Sequence, residues 1–278
     1  MRRYLIIGNQ RSGTTAIHVG IAYHPQISSL YDEIKVQPFF TKGLWGFTVG
    51  NNEDMVEERK LAFDALFNAM ALLHASENTT VIGMKCCTMD SSEARLLVES
   101  LRQNFSDVKI VLVIREDLVA QFGSNVSARL TGRYHSLGRD RSVRRKEKEW
   151  ADSKLKLNKW GFVEYAIKCL ETNRILRELH DSHQVLEVIY EEFFSNEEDN
   201  FRRLFNFLDV PAISITWMRA SKVMPPADQY IKNYRQLSTI LGRLKEHLAN
   251  NPGTFSYYKK YSGVLRKLRT ILRKFVTV

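Results

Sequence analysis

Tyr4-Leu5-Ile6-Ile7-Gly8-Asn9-Gln10-Arg11-Ser12-Gly13-Thr14-Thr15 is the stretch that decides the fold. Its apolar start reads as a buried strand, its two glycines have the spacing of a nucleotide-binding loop, and Ala16-Ile17-His18-Val19-Gly20-Ile21 continues as a helix. A strand that turns tightly into a helix aims the first helical amides, which have no intrahelical partners, at an anion. Ser12, Thr14 and Thr15 add hydroxyl donors. In nucleotide hydrolases and kinases a lysine follows the second glycine and reaches the β- and γ-phosphates, and the next hydroxyl residue holds magnesium. Here Thr14 stands at the lysine position and the cation has moved to Arg11, so the loop suits a nucleotide without a γ-phosphate. The plainer alternative is a Gly-Ser-Thr turn that caps a helix.

Working outward, strand patterns alternate with helical ones: strand 4–8, a helix from Thr15, a long amphipathic helix over about 53–75, strand 80–85, helix 92–104, strand 108–114, helix 117–131, a helical pattern over 143–181, strand 184–190 and helix 197–208. This order predicts an α/β fold, an open and mostly parallel sheet flanked by helices, with ligands met at the carboxyl ends of the strands. No Pro- or Gly-rich linker or repeat divides the 278 residues, so one domain is expected over 1–256. A basic amphipathic helix over 257–278 is expected to belong to it.

The loop Gly8–Thr15 resembles the 5′-phosphosulfate loop of sulfotransferases that use 3′-phosphoadenosine 5′-phosphosulfate (PAPS). The resemblance implies a second anion site for the 3′-phosphate, an Arg ending a strand and a Ser on the next helix. Val108–Ile114 followed by Arg115, then a helix carrying Ser124, supplies both in order. Arg115–Gln121 and Ala128–Gly132 look like the same stretch in bacterial carbohydrate sulfotransferases of the trehalose and nodulation-factor type. Many of these place the Ser eight residues after the Arg, where this chain has Gly123, one step before Ser124. Val188–Phe193 and Phe201–Pro211 resemble the family's late strand and helix; Ala220–Val223 and Ile231–Leu237 resemble its C-terminal part, where a basic loop closes over the cofactor, with Lys222 the contact implied.

The chemistry implied is an in-line displacement in which an acceptor hydroxyl or amine attacks sulfur and adenosine 3′,5′-bisphosphate leaves. Charge on the leaving phosphate must be neutralised, a task that the motif gives to Arg11 with the loop amides and the hydroxyls of Ser12, Thr14 and Thr15 around Gly13. The acceptor proton needs a base. The resemblance implies Glu33, an acidic residue after the first helix and ahead of Pro38-Phe39-Phe40, read as lying in a loop at the ligand edge of the sheet; His135 is the rival. No metal is implied, since the chain has no His-x-x-x-His pair and Thr15 lacks the usual lysine beside it.

Composition sets the outer bounds. The loop begins at residue 8 with no room upstream for a signal peptide, and no apolar run is long enough for a membrane span. With Cys86, Cys87 and Cys169 as the only cysteines, the expectation is a cytoplasmic protein with reduced thiols. The net charge of +10 invites a nucleic-acid partner, yet Tyr257–Val278 alone supplies seven of those charges, so nucleic acid is not expected. The apolar stripe Val264, Leu265, Leu268, Ile271, Leu272 and Phe275 either lies on an anionic membrane or packs on its own domain, the latter preferred. The charged run 139–149 reads as a solvated loop, and the aromatics Tyr31, Phe39, Phe40, Trp45, Phe47, Tyr134 and Trp160 as stacking surfaces for an acceptor or as core. The leading function is transfer of a sulfuryl group from PAPS to a carbohydrate, glycolipid or specialised small metabolite. The alternative is a phosphate-loop protein or kinase using ATP, disfavoured by Thr14 and by Arg115 standing where a magnesium-binding carboxylate would follow the strand.

Overall fold

The computed structural model describes residues 1–35, 64–65, 67–68, 71–72, 76–88, 90–131, 155–214 and 226–251, with the backbone alone for 30–35 and 131. In chain order the elements are β1 Arg2–Asn9, α1 Thr14–Ala22, β2 Ile27–Lys35, β3 Val81–Thr88, α2 Ser91–Asn104, β4 Lys109–Ile114, α3 Leu118–Thr131, α4 Lys159–Arg177, a 3-10 turn Glu178–Asp181, β5 Val185–Ile189, α5 Tyr190–Phe193, α6 Glu197–Phe207, α7 Ala227–Tyr230 and α8 Tyr234–Asn250. They fall into two compact units, Met1–Glu116 with Thr172–Ala220, and Asp117–Glu171 with Ser221–Val278.

The first unit is built on a five-stranded sheet in the order β2-β3-β1-β4-β5, with every pairing parallel. A central parallel strand must be apolar on both sides, and β1 is buried from Tyr4 to Asn9. Its alternation sorts the core into two layers. Leu5 and Ile7 join Met84, Ile110, Leu112 and the α2 residues Leu97, Val98 and Leu101 on one face. Tyr4 and Ile6 join Val111, Val113, the α1 residues Ile17 and Ile21, and Phe201, Leu204 and Phe205 of α6 on the other. Asp90 starts α2 by accepting hydrogen bonds from the amides of Ser92 (2.9 Å) and Glu93 (3.0 Å), satisfying two of its orphan donors.

The second unit is helical. Leu118 and Val119 of α3, Phe162, Val163 and Ala166 of α4, and Leu237, Ile240, Leu241 and Leu244 of α8 share one apolar core. Asn233, just before α8, accepts from the Leu157 amide at 3.0 Å and donates to the Leu157 carbonyl at 2.9 Å, pairing the two segments as one strand residue pairs with another.

Two elements differ from the sequence expectations. Residues 27–35, expected as a loop around Glu33, form the edge strand β2, with a register shift between Ser29 and Glu33. The strand period is hidden because the polar run Ser28-Ser29 and Asp32-Glu33 interrupts it, and an edge strand borrows its pairing from β3. Helix α8 extends well beyond the segment Ile231–Leu237, for which the resemblance implies the family's C-terminal part. Of the helix expected over 53–75, positions 64, 65, 67, 68, 71 and 72 are described, and they are helical. His135, Lys222, the run 139–149, the tail 257–278 and the aromatics Phe39, Phe40, Trp45, Phe47 and Tyr134 lie outside the described residues. Among the described residues, no helix is long and apolar enough to cross a membrane.

Candidate functional site

The loop between β1 and α1 closes by two backbone excursions. Arg11 takes a left-handed φ of 68°, costly for a side chain with a Cβ, and Gly13 has φ 98°. Strain of this kind persists where the surroundings impose it, and here it turns the chain directly into the start of α1. Gly8 is required for another reason: a Cβ there would come within 2.6 Å of the Val113 carbonyl oxygen and 2.7 Å of Ser12 Oγ.

Ser12 is 1% exposed, and its hydroxyl has no hydrogen-bond partner among the described residues. A buried polar group left in this state costs stability, so its presence beside the open helix N-terminus fits an anion that would complete it. Thr14 Oγ1 lies 3.3 Å from Cys87 Sγ, and Thr15 Oγ1 accepts from Lys85 Nζ at 2.9 Å. Both partners come from β3, which pairs with β1 up to Asn9 and Thr88, so the sheet register fixes the two hydroxyls. Thr88 also accepts the Gln10 amide through its carbonyl, and Asn9 donates to Asn173 Oδ1.

Lys85 is a site residue that sequence reasoning passed over. It is 3% exposed in a strand that is otherwise Val, Ile, Gly, Met, Cys and Thr. A single lysine inside a fully buried strand was the available signal, because such a charge needs a partner. Glu33 is its register partner on β2.

Arg115 follows β4, beside β1 in the sheet, and is only 14% exposed at its side chain. Its Nη1 donates to the Arg11 carbonyl at 3.2 Å, its guanidinium lies over the Tyr190 ring, and Glu191 approaches Nε at 3.7 Å. Glu191 also accepts the Glu116 amide at 3.1 Å. Arg11, Ser12, Gly13, Thr14, Thr15 and Arg115 are thus gathered at the carboxyl end of one sheet, with Tyr190 packed beside Gly13.

Ser124 lies half-buried on α3 of the second unit. At Gly123, the position of the family's serine, a Cβ would meet Ile231 Cδ1 at 2.7 Å and the Tyr230 hydroxyl at 3.2 Å, so a side chain there requires those two side-chain ends to shift. Among the described residues, no group of three or more His, Cys, Asp or Glu side chains is placed to hold a metal ion.

A parallel sheet with a glycine loop leading from its central strand into the N-terminus of a helix defines a phosphate-loop protein of the α/β class. The chain belongs to the Sulfotransferase family, whose model matches residues 4–214. It is accordingly a transferase of sulfuryl groups. Among solved structures it is similar to a sulfotransferase from Alicyclobacillus acidocaldarius, 18% identical with a TM-score of 0.48 over 82% of this chain and 88% of that one. It is also similar to the sulfotransferase domain of the Synechococcus PCC 7002 olefin synthase, 17% identical with a TM-score of 0.43 over 84% and 82% of the two chains. A third is the sulfotransferase domain from the curacin biosynthetic pathway, 16% identical with a TM-score of 0.45 over 85% and 86%. No curated protein matched the chain. The family match carries the assignment; the three solved structures are distant likenesses.

Proposed function

We propose that the protein moves the sulfuryl group of PAPS to a hydroxyl or amine of a small acceptor, a carbohydrate, a glycolipid or a specialised metabolite. The observation that carries this reading is the convergence of Arg115 on the loop: its Nη1 donates to the Arg11 carbonyl at 3.2 Å, which sets a second cation beside the loop that carries Arg11. A mononucleotide with phosphates on both its 3′ and 5′ positions needs two such cations. The orphan hydroxyl of Ser12 supports a bound anion at the loop.

In this reading the amides of Gly13, Thr14 and Thr15, the hydroxyls of Ser12, Thr14 and Thr15, and the side chain of Arg11 hold the 5′-phosphosulfate. Arg115 takes the 3′-phosphate; the resemblance assigns Ser124 to that phosphate and Lys222 to a basic loop that closes over the cofactor. The acceptor oxygen forms its bond to sulfur as the bond from sulfur to the bridging phosphate oxygen breaks. Glu33 receives the acceptor proton, and adenosine 3′,5′-bisphosphate departs with the electron pair. Lys85, buried one strand from β1 and bonded to Thr15, supplies positive charge near the leaving oxygen, where preorganised charge lowers the barrier most. The sparse, odd set of three cysteines supports a cytoplasmic setting.

Calorimetric titration tests the reading. Adenosine 3′,5′-bisphosphate should bind about a hundredfold more tightly than AMP, the discrimination expected of a buried arginine that meets a phosphate. Equal affinity for the two would overturn it.

A further inference from the structure

Arg115, directly after β4, has its guanidinium held on three sides. The Tyr190 ring covers one face. Nη1 donates to the Arg11 carbonyl at 3.2 Å. Glu191 Oε1 faces Nε at 3.7 Å, while Oε2 of the same carboxylate accepts the amide of Glu116, the residue after Arg115, at 3.1 Å. We propose that Glu191 is a positioning residue: its carboxylate sets the rotation of the Arg115 guanidinium in its own plane, and with it the selectivity for a nucleotide that carries a 3′-phosphate. The proposal rests on the reading of Arg115 as the 3′-phosphate cation and deepens it.

An aromatic ring fixes the tilt of a guanidinium laid on it and leaves the group free to turn in its own plane. The bond to the Arg11 carbonyl is one in-plane contact, about which the group still pivots. A second contact, at Nε, stops that rotation. Direction matters because a guanidinium meets a phosphate through N–H groups set in a rigid planar fork, and such bonds weaken steeply when misaligned. Nε is buried and makes no hydrogen bond among the described residues, so Glu191 holds it by charge. The carboxylate is anchored in turn: the Glu116 amide ties it to the backbone that carries Arg115, and Glu191 follows Tyr190 in α5, so two adjacent residues supply the contact on the face and the contact on the edge. The same negative charge opposes an incoming phosphate. Glu191 is 36% exposed at its side chain, however, so water screens that longer-range repulsion, whereas a misaimed fork forfeits charge-assisted hydrogen bonds roughly twice as strong as neutral ones. Positioning outweighs repulsion.

Calorimetric titration of adenosine 3′,5′-bisphosphate and of AMP into the intact chain, Glu191→Gln and Glu191→Ala tests the assignment. AMP lacks the 3′-phosphate and reports on the loop alone. Both variants should bind AMP within about twofold of wild type, and Glu191→Gln, which keeps the shape and an acceptor for the Glu116 amide but loses the charge, should bind the bisphosphate about tenfold more weakly, the worth of one charge-assisted hydrogen bond. Glu191→Ala should lose at least as much. A glutamine variant that binds the bisphosphate as tightly as wild type, or more tightly, overturns the proposal, because the carboxylate is then a bystander or an obstacle. Equal weakening toward both nucleotides overturns it as well, since that is what a residue needed only for folding produces. If Glu191→Ala does not fold, as judged by circular dichroism, the isosteric Glu191→Gln decides by the same criteria. Failure of the underlying reading has a separate signature, namely a wild-type protein with no preference for the bisphosphate over AMP.

Discussion

The guanidinium carbon of Arg115 lies 4.7 Å from the centroid of the Tyr190 ring, and the same ring packs so closely on Gly13 that an added Cβ would fall within 2.2 Å of it. One aromatic side chain at the end of β5 therefore shapes both the loop after β1 and the cation after β4. A cation over an aromatic face contributes about 0.5 to 2 kcal/mol, more when water is excluded, and here it also fixes where the guanidinium sits.

Replacing Tyr190 separates these roles. Tyr190→Phe keeps the ring and should bind adenosine 3′,5′-bisphosphate within about twofold of wild type. Tyr190→Ala removes the platform and should weaken binding by roughly 5- to 30-fold, the range that corresponds to 1 to 2 kcal/mol. Calorimetry on both variants checks the difference, and equal weakening by both would show that the hydroxyl matters more than the ring.

Gly13→Ala is expected to damage the loop in two ways at once. Its φ of 98° strains any residue with a Cβ, and the Tyr190 ring occupies the space the methyl group needs. A stability loss of about 1 to 3 kcal/mol should appear in denaturant unfolding. Nucleotide binding should fall out of the calorimetric range, and retention of wild-type affinity would contradict the placement of the ring.

Glu33→Gln should abolish sulfuryl transfer while leaving PAPS affinity within about threefold, because a neutral amide cannot take the acceptor proton. Product formation followed by mass spectrometry, beside a binding titration, makes the distinction. Near-normal turnover would remove Glu33 from the mechanism and return attention to His135.

A pH dependence of stability is expected from His183, away from the loop. Its imidazole sits below the usual value near 6.5, chiefly because burial disfavours the charged form; hydrogen bonding to the Phe105 and Leu101 carbonyls offsets part of this, Arg102 lowers it further and Asp107 raises it. The unfolded chain then takes up the proton first. Stability from this residue is complete above the unfolded value and is lost as pH falls from about 6.5 toward the lowered folded value. His183→Gln should flatten that part of the curve in urea titrations between pH 5 and 7.5, and an unchanged slope would exclude the residue as its source.

The parts of the site that were legible beforehand are those whose chemistry is local. The glycine spacing, Thr14 at the lysine position and an arginine at the end of a β-branched run all follow from neighbours in the chain, and a mostly parallel sheet follows from strands alternating with helices. Strand β2 was not legible, since its polar residues give no period and its pairing comes from β3, far along the chain. Lys85 was hidden for a similar reason: only the register of β3 on β1 brings its ammonium to Thr15.

The sequence by itself determined the order of strands and helices apart from β2, the loop after β1 and the family that both imply, because each depends on backbone preferences and hydrophobic period within a few residues. Tertiary structure alone decided which side chains meet at that loop: Tyr190 against Gly13, Arg115 against the Arg11 carbonyl, Lys85 on Thr15. Those contacts join segments separated by 70 to 177 residues, and the physical agent is the sheet, whose hydrogen-bond register carries distant strand ends to one edge and holds them there.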